Sequence, residues 1–239
     1  MKSTPYWSII VPVYNEANRL GNLNHIIRFL KSLPETWELI VVNDGSTDNT
    51  LDLVKAIQDR HPLQVVNYPQ NQGKGYAIKQ GMLVAKGRYR LFLDCDLSTP
   101  IEEINKIRPH LTNYNVVIGT RKTKGAKGLV HQPWLRENLG KGFTLLSRIM
   151  LNVDVSDFTC GFKCFSADAA QKIFTRSRIY RWGFDSEILY LSSKFGFAIK
   201  EIPVTWKNDL FTRVRFPRDL IISFSDLLRI RLNDLYNRY

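Results

Sequence analysis

The sequence predicts an α/β fold, a doubly wound and mostly parallel sheet with helices on both faces. Two observations predict the sheet. Short runs of apolar, β-branched residues alternate with segments of helical length. These runs are nearly all apolar, as strands covered on both faces should be. A third observation locates the chemistry: polar residues follow the runs directly, and ligands in such sheets bind beyond the carboxyl ends of the strands.

Five apolar runs predict strands at residues 8–13, 37–43, 63–67, 89–94 and 116–119. Segments with helical periodicity lie between them, at residues 19–33, 50–59, 76–85 and 101–111. Pro34 closes the first helix, because proline cannot continue a helical hydrogen-bond ladder. Strand and helix repeated in this order give parallel strands joined by crossover helices.

The alternation fades after residue 119. A loop rich in Gly and Lys at 122–128 precedes a helix at 135–151, and a mixed region around Gly161 leads to a helix at 184–195 and a strand at 199–204. The last segment, 217–236, has leucines and a phenylalanine at helical spacing with arginines between them, which predicts an amphipathic C-terminal helix. We therefore divide the chain into a catalytic domain at 1–210, with halves at 1–120 and 121–210, and a basic helical segment at 211–239.

Composition limits the partners of this chain. Its 34 Lys and Arg against 22 Asp and Glu give a net charge of +12, which favours phosphates, nucleic acid or an anionic membrane. No apolar stretch approaches the roughly 18 residues of a membrane span, and the first residues lack a signal peptide core, so we expect a soluble or peripheral protein, located in the cytoplasm. Cys95, Cys160 and Cys164 have no disulfide-framework spacing and are expected to be core thiols in a reducing cytosol rather than zinc ligands.

The sharpest local signal is Asp94-Cys95-Asp96, two carboxylates one residue apart at the end of a predicted strand. Mg²⁺ or Mn²⁺ held by one or two carboxylates and by substrate phosphates is the usual arrangement for a diphosphate leaving group. The alternative is a helix N-cap cluster, with Asp96 or Ser98 capping the helix predicted at 101–111.

Four motifs occur in order through residue 120, at Val11-Pro12-Val13-Tyr14-Asn15-Glu16, Val42-Asn43-Asp44-Gly45-Ser46-Thr47-Asp48, Asn71-Gln72-Gly73-Lys74-Gly75 and Asp94-Cys95-Asp96. Together they resemble the family 2 inverting glycosyltransferases, which have the Rossmann-like GT-A fold. The resemblance implies a nucleoside site at Pro12, Tyr14, Glu16 and Asp44. It also implies that Lys74 neutralises phosphate charge, that Asp94 and Asp96 hold the metal, and that Ser98 gives a weaker third contact. Strand end, core, turn and surface roles stay open for Pro12, Tyr14, Asp44 and Lys74.

The second half of the sequence indicates the chemical class of the acceptor. Its motifs are Gly119-Thr120-Arg121, Arg136-Glu137-Asn138, 157–163 and 181–187. They resemble the polyprenyl-phosphate glycosyltransferases, and most of all the dolichyl-phosphate glucosyltransferase branch. Residues 119–148 carry seven Lys or Arg against one acid, Glu137, which suits an anionic acceptor. Arg121 and Arg136 are expected to bind a phosphate through their guanidinium groups. The loop lysines after Arg121 fit a solvated loop equally well.

The acceptor decides whether the reaction needs a base. A lipid monophosphate has a second pKa of about 6 and arrives largely as a dianion, so it needs cations more than a base. A hydroxyl acceptor would need a general base, and Asp157 or Asp185 could serve. We expect Asp185 and Glu187 to orient the sugar or nearby arginines, with structural roles as the alternative. Thr212 and Arg213 stand where the family often has Gly-x-Ser-Lys, so they are candidate acceptor contacts.

The expected substrates are UDP-glucose or GDP-mannose, with UDP-glucose favoured, and a dolichyl or undecaprenyl phosphate. We also expect contact of the C-terminal helix with the cytosolic face of a membrane and a membrane-anchored partner protein. A glycan hydroxyl acceptor is the main rival. A nucleotidyltransferase would carry a Gly-rich loop near the first strand, which 11–16 lacks. Nucleic acid is not expected, because the aromatics lie within apolar runs rather than between basic residues.

Overall fold

The computed structural model describes residues 4–129, 134–207 and 218–239, and of 134–137 and 218–220 only the backbone. Its strands, numbered in chain order, are β1 (Trp7–Val13), β2 (Trp37–Asp44), β3 (Gln64–Tyr68), β4 (Tyr89–Leu93), β5 (Val116–Thr120), β6 (Lys127–Gly128), β7 (Phe162–Ser166), β8 (Ile199–Pro203) and β9 (Thr205–Trp206). Its helices are α1 (Gly21–Lys31), α2 (Thr50–Gln58), α3 (Lys74–Val84), α4 (Ile104–Ile107), α5 (Trp134–Leu151), α6 (Ala167–Arg176), α7 (Phe184–Lys194) and α8 (Arg218–Leu235).

Seven strands form one sheet in the order β3-β2-β1-β4-β7-β5-β8, while β6 and β9 pair separately. Six strands of the main sheet run the same way, and β7 runs against its neighbours β4 and β5. The start of β7 therefore lies at the edge where the parallel strands end. Chain order also reverses between β1 and β4, which is the switch point where such sheets bind ligands. The predicted mostly parallel α/β fold is confirmed.

Amphipathic helices cover both faces of the sheet. On α1, Leu23, Ile26 and Leu30 are fully buried at helical spacing and join the core on one face. On α6, Ala170, Ile173 and Phe174 do the same for the core on the other face, which also includes residues of α3, α7 and α8. Each face thus has its own apolar cluster, and the polar site is left to the strand ends.

The segment predicted as one helix at 101–111 is helical from Ile101 to His110 but is not a single α-helix. It consists of two short 3₁₀ turns, Ile101–Glu103 and Arg108–His110, with α4 between them. Pro109 lies in the second turn, and a proline inside a helix removes a hydrogen bond and clashes with the preceding turn. The other predicted bounds agree with the structure to within two residues.

Two further features differ from the sequence prediction. The mixed region around Gly161 contains the antiparallel strand β7, followed by α6, which was not predicted. Strand β3 was expected to be covered on both faces, yet Gln64 and Asn67 are exposed because β3 lies at the sheet edge. Edge strands lack one neighbour and keep polar side chains facing water.

Within the described residues, none of the helices combines the length and the apolar character needed to cross a bilayer. Helix α8 contacts α5 and α7 and contributes Leu227 and Ile230 to the core. The division of the chain at residue 210 stays a prediction.

Candidate active site

Two carboxylates follow β4 at the carboxyl edge of the sheet. Asp94 and Asp96 flank Cys95, which is buried beneath them, and Leu97 has a φ of 52°, a conformation that is uncommon for a non-glycine residue. The backbone amide of Ser98 donates to Asp96 Oδ1 at 2.8 Å. The chain therefore turns sharply after β4, as two acids this close in sequence require if both are to face one ligand.

Asp94 is fixed by two neighbouring elements. Lys74 Nζ, in the first turn of α3, lies 2.5 Å from Asp94 Oδ1. Leu93 pairs with Phe162 across the β4 and β7 strands, which sets Gly161 directly beside Asp94. A Cβ built on Gly161 would lie only 2.0 Å from Asp94 Oδ2, so no larger residue fits there without displacing the carboxylate.

The charges around these acids suit a divalent cation. Burial raises the pKa of the Asp96 carboxyl, and the charge of Asp94 raises it further. Burial opposes the charge on Lys74, but Asp94 and Asp185 outweigh it and raise the pKa of Lys74. Repulsion between adjacent carboxylates is what a bound metal ion relieves. Among the described residues no group of three metal-ligating side chains occurs, so Asp94 and Asp96 would share an ion with substrate oxygens and water.

A buried lysine continues this row of alternating charges. Lys163 of β7 has no exposed surface, donates to the Cys160 carbonyl at 2.6 Å and forms an ion pair with Asp185 at the start of α7. Burial raises the pKa of Asp185, although Lys163 and then Lys74 act against that rise. Lys163 had no assigned role from sequence. The available signal was a lysine between Phe162 and Cys164, since a lysine buried in a strand needs an acid partner.

Arg121, which follows β5, is held by a buried acid. Its Nε and Nη2 donate to the two oxygens of Asp157 at 2.8 and 2.9 Å, and Nη2 also donates to Thr159 Oγ1 at 2.8 Å. Burial acts to raise the pKa of Asp157, but the charge and hydrogen bonds of Arg121 hold it well below the usual range. A carboxylate whose pKa is held low and whose two oxygens are both hydrogen-bonded is a poor general base. Asp157 instead orients Arg121.

We expect Asp157→Asn to lower the free energy of unfolding by about 3 kcal/mol at pH 7, because it breaks a buried ion pair. The folded-state pKa of Asp157 is depressed, so its stabilisation is complete above the unfolded pKa of about 4 and fades as the pH falls below it. Urea unfolding of the wild type and variant at pH 7 and pH 3 measures this difference. Asp154→Asn is the control, since that acid is 87% exposed and pairs with Arg148 at the surface. Equal losses for both variants would contradict the prediction.

Lys122 is an exposed residue whose ammonium group is hydrogen-bonded to a neighbouring helix. Its Nζ donates to the Gly140 carbonyl at 3.2 Å and to the Thr144 hydroxyl, both on α5, and burial lowers its pKa. It therefore ties the loop after β5 to α5, whose first turn contains Arg136. The side chain of Arg136 and all of Thr212 and Arg213 lie outside the described residues, so their contacts with acceptor stay predictions.

Asp44, at the end of β2, organises the loop that leads to Lys74. Its carboxylate accepts hydrogen bonds from the Asn71 side chain at 2.8 Å and from the backbone amides of Gln72 and Gly73 at 2.8 and 3.0 Å. The side chain is almost fully buried. The contact of Asp44 with the nucleoside stays a prediction. In the structure, Asp44 binds the backbone just before α3.

The loop after β1 carries the other predicted nucleoside residues. Pro12 lies beyond the last residue that β1 pairs with β4, Ile10, so its missing amide hydrogen costs no bond on that side. Glu16 pairs with Arg19 at 2.9 Å. Asn15 has a φ of 50° and accepts from the Thr47 amide at 2.8 Å, which joins this loop to the one after β2. Tyr14 is half-buried. Asn15 had no predicted role.

The structure thus brings the loops after β1, β2, β4 and β5 and the start of β7 to one edge. A shallow cavity of about 320 Å³, lined by Arg88, Asn113, Ser166 and their neighbours, lies at the opposite edge, away from every predicted site residue. We assign it no part in the chemistry.

Comparisons with known proteins agree with this geometry. A family model described as "Glycosyl transferase family 2" matches residues 8–174. A protein from Dictyostelium discoideum named dolichyl-phosphate beta-glucosyltransferase is 34% identical, and the match covers 96% of this chain and 75% of that protein. A Saccharomyces cerevisiae protein with the same name is 33% identical, with coverage of 98% and 76%.

Solved structures share the fold. A glucosyl-3-phosphoglycerate synthase from Mycobacterium tuberculosis, crystallised with Mn²⁺, UDP-glucose and glycerol 3-phosphate, aligns with a TM-score of 0.67 over 95% of this chain and 80% of that one. Sequence identity is 21%, so this likeness concerns the fold alone. It identifies the sheet and its helices as the GT-A arrangement.

Proposed function

This chain belongs to glycosyl transferase family 2, and from that membership we propose that it transfers glucose from UDP-glucose to the phosphate of a polyprenyl lipid such as dolichyl phosphate. The observation that carries the proposal is the name dolichyl-phosphate beta-glucosyltransferase, shared by relatives that are 33 to 38% identical over most of the chain. The enzyme is a glycosyltransferase, and the proposal specifies its donor and acceptor.

The donor side rests on Asp94, Asp96 and Lys74. The two carboxylates fit Mg²⁺ or Mn²⁺, which supplies positive charge to the departing diphosphate when it is bound. The solved GT-A structure with Mn²⁺ and UDP-glucose supports this choice of ion and nucleotide. Lys74 lies against Asp94 and adds a fixed positive charge at the same place. Ser98 as a further metal contact, and Pro12, Tyr14, Glu16 and Asp44 as nucleoside contacts, are part of the proposal.

The acceptor side rests on cations. An oxygen of the lipid phosphate attacks the anomeric carbon, the bond from that carbon to the diphosphate oxygen breaks, and UDP leaves with the electron pair. Attack opposite the leaving group converts the α-linked donor into a β-linked product. A phosphate dianion needs no proton removed, so a base is dispensable. The engagement of Asp157 by Arg121 and of Asp185 by Lys163 supports a phosphate acceptor over a hydroxyl.

Arg121 is the proposed phosphate contact among the residues with described side chains. Asp157 occupies Nε and Nη2, which fixes the plane of the guanidinium before any ligand binds. A preoriented arginine loses less conformational entropy when it binds phosphate. Arg136, Thr212 and Arg213 complete the proposed acceptor site by family resemblance.

We include a membrane surface in the proposal because α8 has an exposed apolar stripe. Five of its residues share this stripe at spacings of three and four: Ile221, Phe224, Leu228, Leu232 and Leu235. Leu145 and Ile149 are exposed on α5, which contacts α8. Arg229 and Arg231 flank the stripe, so it suits the anionic cytosolic face of a membrane. A membrane-anchored partner protein is the alternative occupant.

We expect the double variant Leu228→Ser, Leu232→Ser to bind anionic phosphatidylserine vesicles at least about tenfold more weakly than the wild type, because burial of two leucines is lost. Vesicle sedimentation measures the bound fraction. Leu53→Ser on α2 is the control, since Leu53 is exposed and far from the stripe in sequence. Wild-type binding by the double variant would exclude this surface and favour a protein partner.

A transfer assay tests the donor. The enzyme, undecaprenyl phosphate and Mn²⁺ are incubated with radiolabelled UDP-glucose or GDP-mannose, and label in extracted lipid is counted. We expect lipid label from UDP-glucose that EDTA abolishes. Lipid label from GDP-mannose alone would overturn the assignment of the sugar and leave the acceptor standing.

A further inference from the structure

The loop between α6 and α7, residues 177–183, packs against the start of α3 on both sides of Lys74. The Tyr76 amide donates to the Tyr180 carbonyl at 3.2 Å. A Cβ built on Gly73 would lie 2.5 Å from that carbonyl oxygen, and Lys79 Nζ donates to the Ser177 carbonyl at 2.7 Å. The loop therefore contacts the start of α3 before and after Lys74.

Two buried acids hold the 177–183 loop from behind. Glu187 of α7 accepts from the amides of Arg178 and Ile179 at 2.9 and 2.8 Å, and its side chain has no exposed surface. Asp226 of α8 accepts from the amide of Gly183 at 3.2 Å. The first acid thus holds the beginning of the loop and the second holds its end.

The contacts of both acids with the loop depend on residues 226–239. Asp226 belongs to α8 itself. Tyr239, which follows α8, donates its hydroxyl to Glu187 Oε1 at 2.7 Å, and Arg178 Nε donates to the Arg238 carbonyl at 2.9 Å. A buried carboxylate that loses one of its donors is left partly unsatisfied, which favours rearrangement of the groups around it. The segment from Asp226 to Tyr239 is thereby joined to Lys74 through the loop.

We propose that Asp226 and Tyr239 are positioning residues for the nucleotide-diphosphate site: they fix the 177–183 loop, and the loop fixes Lys74 against Asp94. This inference rests on the proposed function for the identity of the ligand. The contacts themselves do not depend on it. Helix α8 then has two faces with different tasks, an outer apolar stripe and an inner face that orders the site.

The variant Tyr239→Phe removes one hydroxyl and keeps the ring that packs near Tyr190. We expect the Tyr76 amide to exchange its hydrogen at least about fivefold faster, because it bonds directly to the loop. We also expect affinity for UDP with Mn²⁺ to fall about threefold to tenfold, and kcat for glucose transfer to fall with little change in the KM for lipid. Tyr236→Phe is the control, since that side chain is exposed.

These measurements separate the two proposals. Hydrogen exchange at Tyr76 needs no ligand, so it decides the positioning inference even if UDP does not bind or no lipid is glucosylated. Asp226→Ala should give the same three changes, and if it fails to fold, Tyr239→Phe still decides. Unchanged exchange at Tyr76 in Tyr239→Phe would overturn the inference, as would equal effects of Tyr236→Phe.

Discussion

Replacing Asp96 with asparagine is expected to lower the rate of glucose transfer by at least about 1000-fold at saturating UDP-glucose and Mn²⁺. Asp94 already faces the positive charge of Lys74 at 2.5 Å, whereas the backbone amide of Ser98 donates to Asp96. Asp96 thus supplies the negative charge at this edge that Lys74 does not directly balance. Asparagine keeps the shape of the side chain and removes that charge, so the turn after β4 remains while affinity for the ion falls.

Initial rates over a titration of Mn²⁺ measure this loss, together with binding of Mn²⁺ in the presence of UDP. Asp48→Asn is the matched control, because Asp48 is an exposed acid in the loop after β2 that caps α2 through the amide of Thr50. We expect the control to keep nearly the full rate. An Asp96→Asn enzyme that retained a tenth of the wild-type rate would contradict a metal role for this acid.

Replacing Gly161 with alanine is expected to lower transfer by at least about 100-fold. The new Cβ would stand 2.0 Å from Asp94 Oδ2 and 2.7 Å from its Cγ, so the carboxylate must leave its place. Because Lys74 pairs with the other oxygen of Asp94, both charges move together. A displacement of about 1 Å is enough to cost on the order of 100-fold in a site that works by position.

Gly142→Ala on α5 is the control for this substitution, since a Cβ there meets nothing within 4 Å. Circular dichroism and urea unfolding establish that both variants are folded before their rates are compared. We expect Gly142→Ala to keep its rate and to be no less stable than the wild type. Full activity in Gly161→Ala would show that the position of Asp94 does not limit the reaction.

The sequence predicted the centre of the sheet well because β1, β2, β4 and β5 are largely apolar local runs followed by polar residues. The sequence was less informative for elements that combine apolar and polar residues. Strand β7 contains Lys163, whose burial is tolerated only because Asp185 comes from a distant helix. The 101–111 segment has helical periodicity, yet its hydrogen bonding changes between 3₁₀ and α-helical turns, with Pro109 in the last of them. Hydrophobic periodicity alone indicates neither the distant partner of Lys163 nor the effect of Pro109.

Apart from Lys163, the acids and basic residues of the site were predicted, but their partners were not. Asp94, Asp96 and Lys74 were expected near one edge because strand ends and the loops that follow them meet there. That Lys74 touches Asp94, that Asp157 engages Arg121 and that Asp44 binds the backbone before α3 depends on loop conformations. The partner of a charged side chain with several oppositely charged neighbours is fixed by the conformation of the loops. The spacing of residues in the sequence therefore does not determine which ion pair forms.

Membership of glycosyl transferase family 2 indicates the class of ligand, which the net charge did not. A net charge of +12 was compatible with nucleic acid as well as with phosphates. Arg121 and Lys122 carry part of that charge at the same edge of the sheet as Asp94 and Asp96, and both side chains are hydrogen-bonded to neighbouring segments. This arrangement suits a small anionic group held near a metal.

The decisive experiment compares undecaprenyl phosphate with undecaprenol as acceptors for radiolabelled glucose from UDP-glucose. The phosphate is the proposed nucleophile, so we predict a glucosylated lipid, labile to mild acid, only with undecaprenyl phosphate and only in the presence of Mn²⁺ or Mg²⁺. Asp96→Asn should remove the product. Label in an acid-stable glucoside of undecaprenol, or in a glycan with no lipid product, would contradict the account and assign the acceptor site to a hydroxyl.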